Sequence, residues 1–207
     1  MNYLELCQRL VRETGIADSG PTSVEGQTGD MKRITDWVND AWVQLQSMRA
    51  DWGWMWGSGT STLSSGSHLI TLSSTVESVK RVTVGGAFLQ RADYDEFANA
   101  YRVISDGIPS VFAVRPDGVL IFNAEPTSDL TVSYEYYSRP TSMAVNNDAP
   151  SMPPRYHMII VYSALREYAL FDVAPELEKK AFIAYESLLA DLERDQLAAI
   201  QAAGALA

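Results

Sequence analysis

Apolar positions recur at helical spacing at both ends of this chain and at strand spacing in its middle. Asn2 is placed to cap a first helix, with Glu5 three residues on; Leu6, Cys7, Leu10 and Val11 follow, and Gly15 ends the run. Residues 15–29 are rich in Gly, Ser and Thr and predict a loop, longer than most connections inside a domain and so either mobile or held by a partner. Asp30 is a second cap candidate. Ile34, Trp37, Val38, Ala41, Leu45 and Met48 then form one helical stripe with Trp42 beside it. From about Gly57 to Pro140 the period changes. His68–Leu72, Val76–Val84, Ser110–Arg115, Val119–Asn123 and Leu130–Tyr137 are strand candidates, and Val132, Tyr134 and Tyr136 alternate with Ser133, Glu135 and Tyr137. Arg115-Pro116-Asp117-Gly118 predicts a tight turn between two of them. Asp93–Arg102 predicts a short helix carrying Phe97, Ala98 and Tyr101.

Residues 138–154, with Pro140, Pro150, Pro153 and Pro154, predict a linker. The helical period then returns. Arg155–Phe171 is apolar almost all round, which predicts a helix buried by its neighbours. Pro175 suits the first turn of a last helix, with Leu177, Ala181, Ala184, Tyr185, Leu188 and Leu192 as its stripe. A helix over 175–203 would be about 40 Å long. The tail Gln196–Ala207 has no charged side chain and carries Leu197, Ile200 and Leu206 among alanines; it is either a frayed terminus or a docking segment. The fold class expected is α+β. Residues 1–57 and 150–207 form a helical bundle from the N-terminal and C-terminal helices, with a mainly antiparallel β domain, residues 58–149, inserted between them.

All five tryptophans lie within residues 37–56. Each buries about 150–250 Å² when covered, more than a local turn can supply. Trp52, Trp54 and Trp56 fall where helix gives way to extended chain and are read as the joint between the two lobes, with at least one facing a neighbouring subunit.

Composition narrows the function. The chain has 207 residues, 46% of them apolar, and a formal charge of −10. The negative charge disfavours a DNA reader. It does not disfavour a protein that lets DNA pass without gripping it. No apolar run approaches the roughly 18 residues of a membrane span. Met1–Glu5 lacks the basic and apolar regions of a secretory signal. Cys7 is the single cysteine, so an internal disulfide is impossible.

Catalytic chemistry is sparse. His68 and His157 are the only histidines, and with one distant cysteine they do not make a metal set. His157 sits on the apolar helix and reads as a core residue; His68 reads as a surface one. There is no G-x-S-x-G elbow and no P-loop lysine, and Gly57-Ser58-Gly59 lacks the rest of a phosphate-binding fingerprint. Asp93, Asp95 and Glu96 are the densest acid group of the β region. They suit a helix start, or in an alternative reading the paired carboxylates of a glycosidase. Tyr134, Tyr136, Tyr137 and the tryptophans allow a glycan-binding module as part of that alternative. No catalytic, cofactor-binding or metal residue is assigned, and no cofactor is expected.

Three stretches in order carry a family resemblance. They are Ile34–Trp42, continuing to Leu45-Gln46 and Trp52-Gly53-Trp54; Gly118–Phe122 with Glu125-Pro126 and Val132–Tyr136; and Asp148-Ala149-Pro150 to Pro154–His157, leading into the Ile160–Tyr168 helix. The set resembles the head-to-tail adaptor, or head-completion, proteins of tailed bacteriophages. The Ser-Gly-rich stretch 57–67 and the alanine tail lie outside the resemblance. It implies a non-enzymatic virion protein of the neck, made in the host bacterial cytoplasm. It also implies a ring of identical subunits, usually twelve, under the portal protein. The ring would extend the DNA channel, let double-stranded DNA pass without sequence-specific binding, and offer a platform to the next tail or nozzle protein, with no membrane involved. The interface residues expected are Trp52, Trp54, Trp56, Leu192, Leu197, Ile200 and Leu206, with the last helix and its tail as the portal-binding arm.

Overall fold

The computed structural model describes residues 1–16, 19–101 and 104–197. In chain order the elements are α1 (Tyr3–Thr14), α2 (Gly29–Ser47), β1 (Trp56–Leu63), β2 (Leu69–Thr71), β3 (Val76–Val84), β4 (Ala87–Phe88), β5 (Gln90–Arg91), α3 (Tyr94–Ala100), β6 (Ser105–Asp106), β7 (Val111–Val114), β8 (Val119–Phe122), β9 (Ala124–Glu125), β10 (Leu130–Ser138), α4 (Met158–Phe171) and α5 (Pro175–Gln196). This is the expected α+β class. The chain divides into two compact units, Met1–Met55 with Pro140–Ala207, and Trp56–Arg139.

In the helical unit, α1 begins with the capping box read from its sequence. Asn2 Oδ1 accepts from the Glu5 amide at 2.8 Å, and Glu5 Oε2 accepts from the Asn2 amide at 2.9 Å. Gly15 closes the helix at φ 77°, a conformation that favours glycine. Leu6, Cys7, Leu10 and Val11 are fully buried. α4 packs against α1, α2 and α5, which accounts for its nearly all-apolar sequence. Burial of Cys7 pushes its thiol up to about 12, so the single cysteine is an inert core residue.

Several expectations change here. Asp30 does not cap α2. Thr28 holds the cap position without a side-chain bond, and Asp30 lies in the first turn, paired with Arg33 at 3.0 Å. The core stripe of α2 is rotated toward Trp42, which is buried, while Trp37 is half-buried and meets Tyr168 and Phe171 edge-on or tilted. Helices are wide enough that one residue's rotation, ~100°, exchanges which flank is central.

The loop before α2 is held by its own chain rather than left to a partner. Gln8 Nε2 donates to Pro21 O at 3.0 Å and the Val24 amide to Asn146 Oδ1 at 2.7 Å. The proline-rich stretch after β10 is likewise more than a linker. Asp148 O and Asn146 O accept from the Tyr3 and Leu4 amides, two donors that α1 cannot satisfy itself. Asp148 Oδ2 accepts from the Ala144 and Val145 amides, which hold its carboxyl below the usual range.

His157 is a buried core residue, as its sequence position suggests. The Met1 amine, a donor, lies 2.8 Å from Nδ1, and the Met152 carbonyl, an acceptor, lies 3.1 Å from Nε2. Those partners require a neutral ring protonated on Nε2. Burial lowers its pKa. An unfolded histidine near about 6.5 therefore binds a proton more readily than the folded one. The stability this group contributes is complete above that value and is lost as pH falls through it. Urea midpoints should drop from about pH 8 to about pH 5, and less so in a His157→Gln chain.

In the β unit, one four-stranded sheet has the order β1-β10-β3-β4 and a second the order β2-β8-β7-β5. Leu63, Val79, Val82 and Val132 of the first and Ile70, Phe112, Leu120 and Phe122 of the second share one core. α3 covers the other face of the second sheet with Phe97 on Val111 and Ala113. Arg115–Gly118 forms the expected turn, with the Gly118 amide on Arg115 O at 2.9 Å and Gly118 at φ 81°. β3 runs over the residues its sequence predicts.

β1 was absent from the strand candidates because Trp-Gly-Ser-Gly-Thr-Ser-Thr-Leu has no apolar alternation. Its partner explains it. Gly57 lies opposite Tyr136 and Gly59 opposite Tyr134. A Cβ at either glycine would come within 2.9 Å and 2.8 Å of those rings. The tyrosines supply the apolar surface for both strands.

Candidate functional site

The sequence nominated the tryptophan run and the end of the last helix as contact surfaces, and the structure distributes those residues differently. Trp52 is fully buried in the helical unit. Its indole stacks on Trp54 with centroids 4.4 Å apart, and Nε1 donates to Leu45 O at 2.9 Å. Leu45 O is among the last carbonyls of α2, so the indole caps that helix. Trp54 is half-buried, and its Nε1 is covered without an acceptor. Trp56 opens β1 in the other unit and is 49% exposed. Leu192 is fully buried and Leu197 half-buried. The last helix stops at Gln196, with Leu197 already extended, short of the expected 203; Ile200 and Leu206 lie outside the described residues, as does Arg102 of the predicted short helix.

The C-terminal end of α5 is tied to its own unit by polar pairs. Arg49 donates to Glu193 Oε1 through Nε at 3.2 Å and through its terminal nitrogen at 2.8 Å; Arg155 pairs with Asp195; and Gln196 lies 3.1 Å from where a Gly53 Cβ would sit. The exposed apolar surface is at the opposite end, where α4 turns into α5. Leu170 is 65% exposed, Phe171 53% and Val173 83%. Phe182 and Ile183 continue it along α5. Arg33 stacks on Phe171 at 4.5 Å and Arg166 on Phe182 at 5.0 Å, so cations rim the patch. A hollow of about 250 Å³ between Ala169, Leu170, Val173, Ala174, Pro175 and Glu178 completes it. The all-apolar run of α4 hid this surface, because a fully buried helix and one with an exposed last turn read alike.

Val173 is also the one non-glycine residue at positive φ among the described residues, at 54°. The Ala174 amide donates to Ala169 O at 2.8 Å, the closing bond of a Schellman motif in which glycine is usual. A β-branched residue there costs about 1–2 kcal/mol. Val173→Gly should therefore raise the stability of the helical unit by about 1 kcal/mol, read from the urea midpoint.

The acids weighed for glycoside chemistry are differently employed. Asp93 Oδ1 accepts from the Asp95 amide at 2.9 Å as the cap of α3. Asp95 and Glu96 occupy the first turn of that helix. A hollow of about 370 Å³ is bordered by Arg91, Ala92, Asp93, Tyr94 and Val114, which brings one of the three acids to its wall rather than a facing pair. Tyr134 and Tyr136 lie over glycines of β1, and Tyr137 Oη accepts from Lys80 at 3.2 Å. His68 is half-buried, with Nδ1 2.8 Å from Glu125 Oε1. Among the described residues no group of three His, Cys, Asp or Glu converges as a metal set, and no helix is long and apolar enough to cross a membrane.

What the molecule offers is contact surface: a strained apolar corner on the helical unit and an aromatic strand edge on the β unit. No individually curated protein matches the chain. The sequence model of the family described as SU10 adaptor protein matches residues 1–206, and the chain belongs to that family of phage adaptors.

Proposed function

We propose that this chain is the structural head-to-tail adaptor of a tailed phage. Identical copies, twelve in the reading the family resemblance suggests, form a ring under the portal protein. The ring extends the DNA channel and carries the next tail or nozzle component. The observation that carries this is the family match across residues 1–206. Two physical features support it. An adaptor must meet its own copies and other neck proteins through different faces, and among the described residues both units carry exposed large apolar side chains. A net charge of −10 also suits a wall past which DNA moves, because retention of DNA is largely electrostatic. The Leu170–Phe171–Val173 corner is the face we assign to a protein partner in the neck.

Native mass measurement of the purified chain, alone and mixed with its portal ring, tests the proposal. A discrete ring, alone or on the portal, is expected. A chain that stays monomeric and ignores the portal overturns it.

A further inference from the structure

We propose that neighbouring subunits of the ring join through the two edges of the β1-β10-β3-β4 sheet, β1 of one copy pairing with β4 of the next. The proposal rests on the ring reading above and adds the contact that builds it.

The first observation is an unprotected edge. β1 is eight residues long and hydrogen-bonds to β10 alone, in an unbroken register from Trp56↔Tyr137 to Leu63↔Leu130. In such a strand every second residue directs its amide and carbonyl away from its partner. Proteins normally blunt an exposed edge with lysine, proline, a bulge or a covering loop. β1 carries no charge, no proline and no bulge against β10. Ser58, Thr60 and Thr62 are exposed along it.

The second observation identifies the occupant. β4 is the opposite edge of the same sheet, pairing with β3 through Thr83↔Phe88 and Val84↔Ala87. The Leu89 amide adds a bond to Val82 O at 3.0 Å, so about three residues of backbone form this edge. Phe88 is 67% exposed although Arg81 stacks on it at 5.1 Å. The registers place Phe88 with Thr83, Ser133 and Thr60 on one sheet face, and Trp56 lies on that same face at the far edge. Two exposed aromatics thus occupy one face at opposite edges, where a neighbour's edge would bring each against hydroxyl-bearing strand residues or the other ring.

Topology supplies the third argument. All three pairings in this sheet are antiparallel. With four strands, the two edge strands run in opposite directions. Copies related by a simple rotation about a ring axis therefore present β4 antiparallel to β1, and the alternation continues unbroken from subunit to subunit. One sheet provides both of the different faces that a heterologous closed assembly needs.

Cysteine cross-linking tests this, because Cys7 is buried and contributes no surface thiol. Chains carrying Phe88→Cys together with Ser58→Cys, Thr60→Cys or Thr62→Cys are oxidised mildly, alone and on the portal ring. At least one pairing should give a ladder of covalent oligomers, absent from each single variant. Phe88→Ala and Trp56→Ala, checked for native circular dichroism, should each raise the concentration for half-assembly by about tenfold. A ring of native mass without a ladder in any pairing overturns the edge contact and leaves the ring reading intact. Dimers from Thr60→Cys or Ser58→Cys alone overturn it in favour of β1 pairing with itself about a twofold axis. Unsubstituted chains that stay monomeric with and without portal remove the ring reading, and this contact with it.

Discussion

Trp52→Ala is expected to cost the helical unit about 3–5 kcal/mol, the range for emptying a fully buried aromatic site. Three losses combine. The side chain is fully buried, so its removal leaves a cavity rather than a wetter surface. The stack on Trp54, at 4.4 Å and 20° between planes, disappears. Leu45 O loses the indole donor at 2.9 Å that closes the end of α2, where Met48 continues in helical conformation and no glycine turns the chain. Urea unfolding followed by tryptophan fluorescence reads the effect well, since Trp37, Trp42 and Trp54 remain in the same unit. Trp52→Phe keeps most of the packing and loses the indole donor, so it should cost about 1–2 kcal/mol. Trp54 is half-buried and its Nε1 has no acceptor, so Trp54→Ala should cost less than Trp52→Ala. Equal losses from the two alanine variants would show that the stack, rather than burial and the cap, carries the energy.

This ordering of the tryptophans was only partly legible in the sequence. Clustering within residues 37–56 showed that the stretch needs cover, but an apolar stripe does not say which flank meets a neighbour. Trp42 became core, and Trp37 moved toward Tyr168 and Phe171, because the position of α4 decides the central face. Most features governed by neighbours in the chain read correctly, the Asp30 cap being the exception: the Asn2–Glu5 box, Gly15, the Arg115–Gly118 turn, the Asp93 cap and Pro175 at the start of α5. The Gly85-Gly86 turn between β3 and β4, with φ of 58° and 85°, is a local signal of the same kind. β1 was illegible for a different reason. Its strand character resides in Tyr134 and Tyr136, more than seventy positions away (Gly59↔Tyr134 and Gly57↔Tyr136). The candidate surfaces fared similarly. Leu192 looked like half of an interface because it ends an apolar stripe, yet polar pairs such as Arg49 with Glu193 fold that end of α5 onto its own unit. The exposed corner at Val173 depends on how α4 packs against α1, α2 and α5, a tertiary fact that no local period encodes.

The same distinction makes Gln46 the second position where a single change should be felt. A glutamine inside the α2 stripe reads as a minor polar interruption, but its side chain is buried and bridges to a strandless segment ninety-five positions on. Nε2 donates to Thr141 O at 2.9 Å, and Oε1 accepts from the Thr141 amide at 3.0 Å. A third bond, at 3.2 Å, reaches Trp42 O. The amide therefore satisfies both backbone groups of Thr141 at once, as a strand would. Gln46→Leu preserves volume and adds apolar surface, which on area alone would stabilise. It also removes both partners of the Thr141 backbone, an exposed residue whose two bonds to Gln46 are only partly buried, at about 0.5–1.5 kcal/mol each. The polar term is the larger, and a net loss of about 1–2 kcal/mol is expected. Gln46→Glu separates the two halves of the bridge. A carboxylate still accepts from the Thr141 amide but cannot donate to its carbonyl, so its stability should recover toward wild type as acidic pH protonates it. Urea midpoints of the two variants at about pH 7 and about pH 5 measure this. If Gln46→Leu unfolds at the wild-type midpoint, the bridge to Thr141 is not what fastens the 140s segment to α2. The bonds donated by the Met143 amide to Asn39 Oδ1, by the Val24 amide to Asn146 Oδ1, and by the Tyr3 and Leu4 amides to Asp148 O and Asn146 O would then hold that segment.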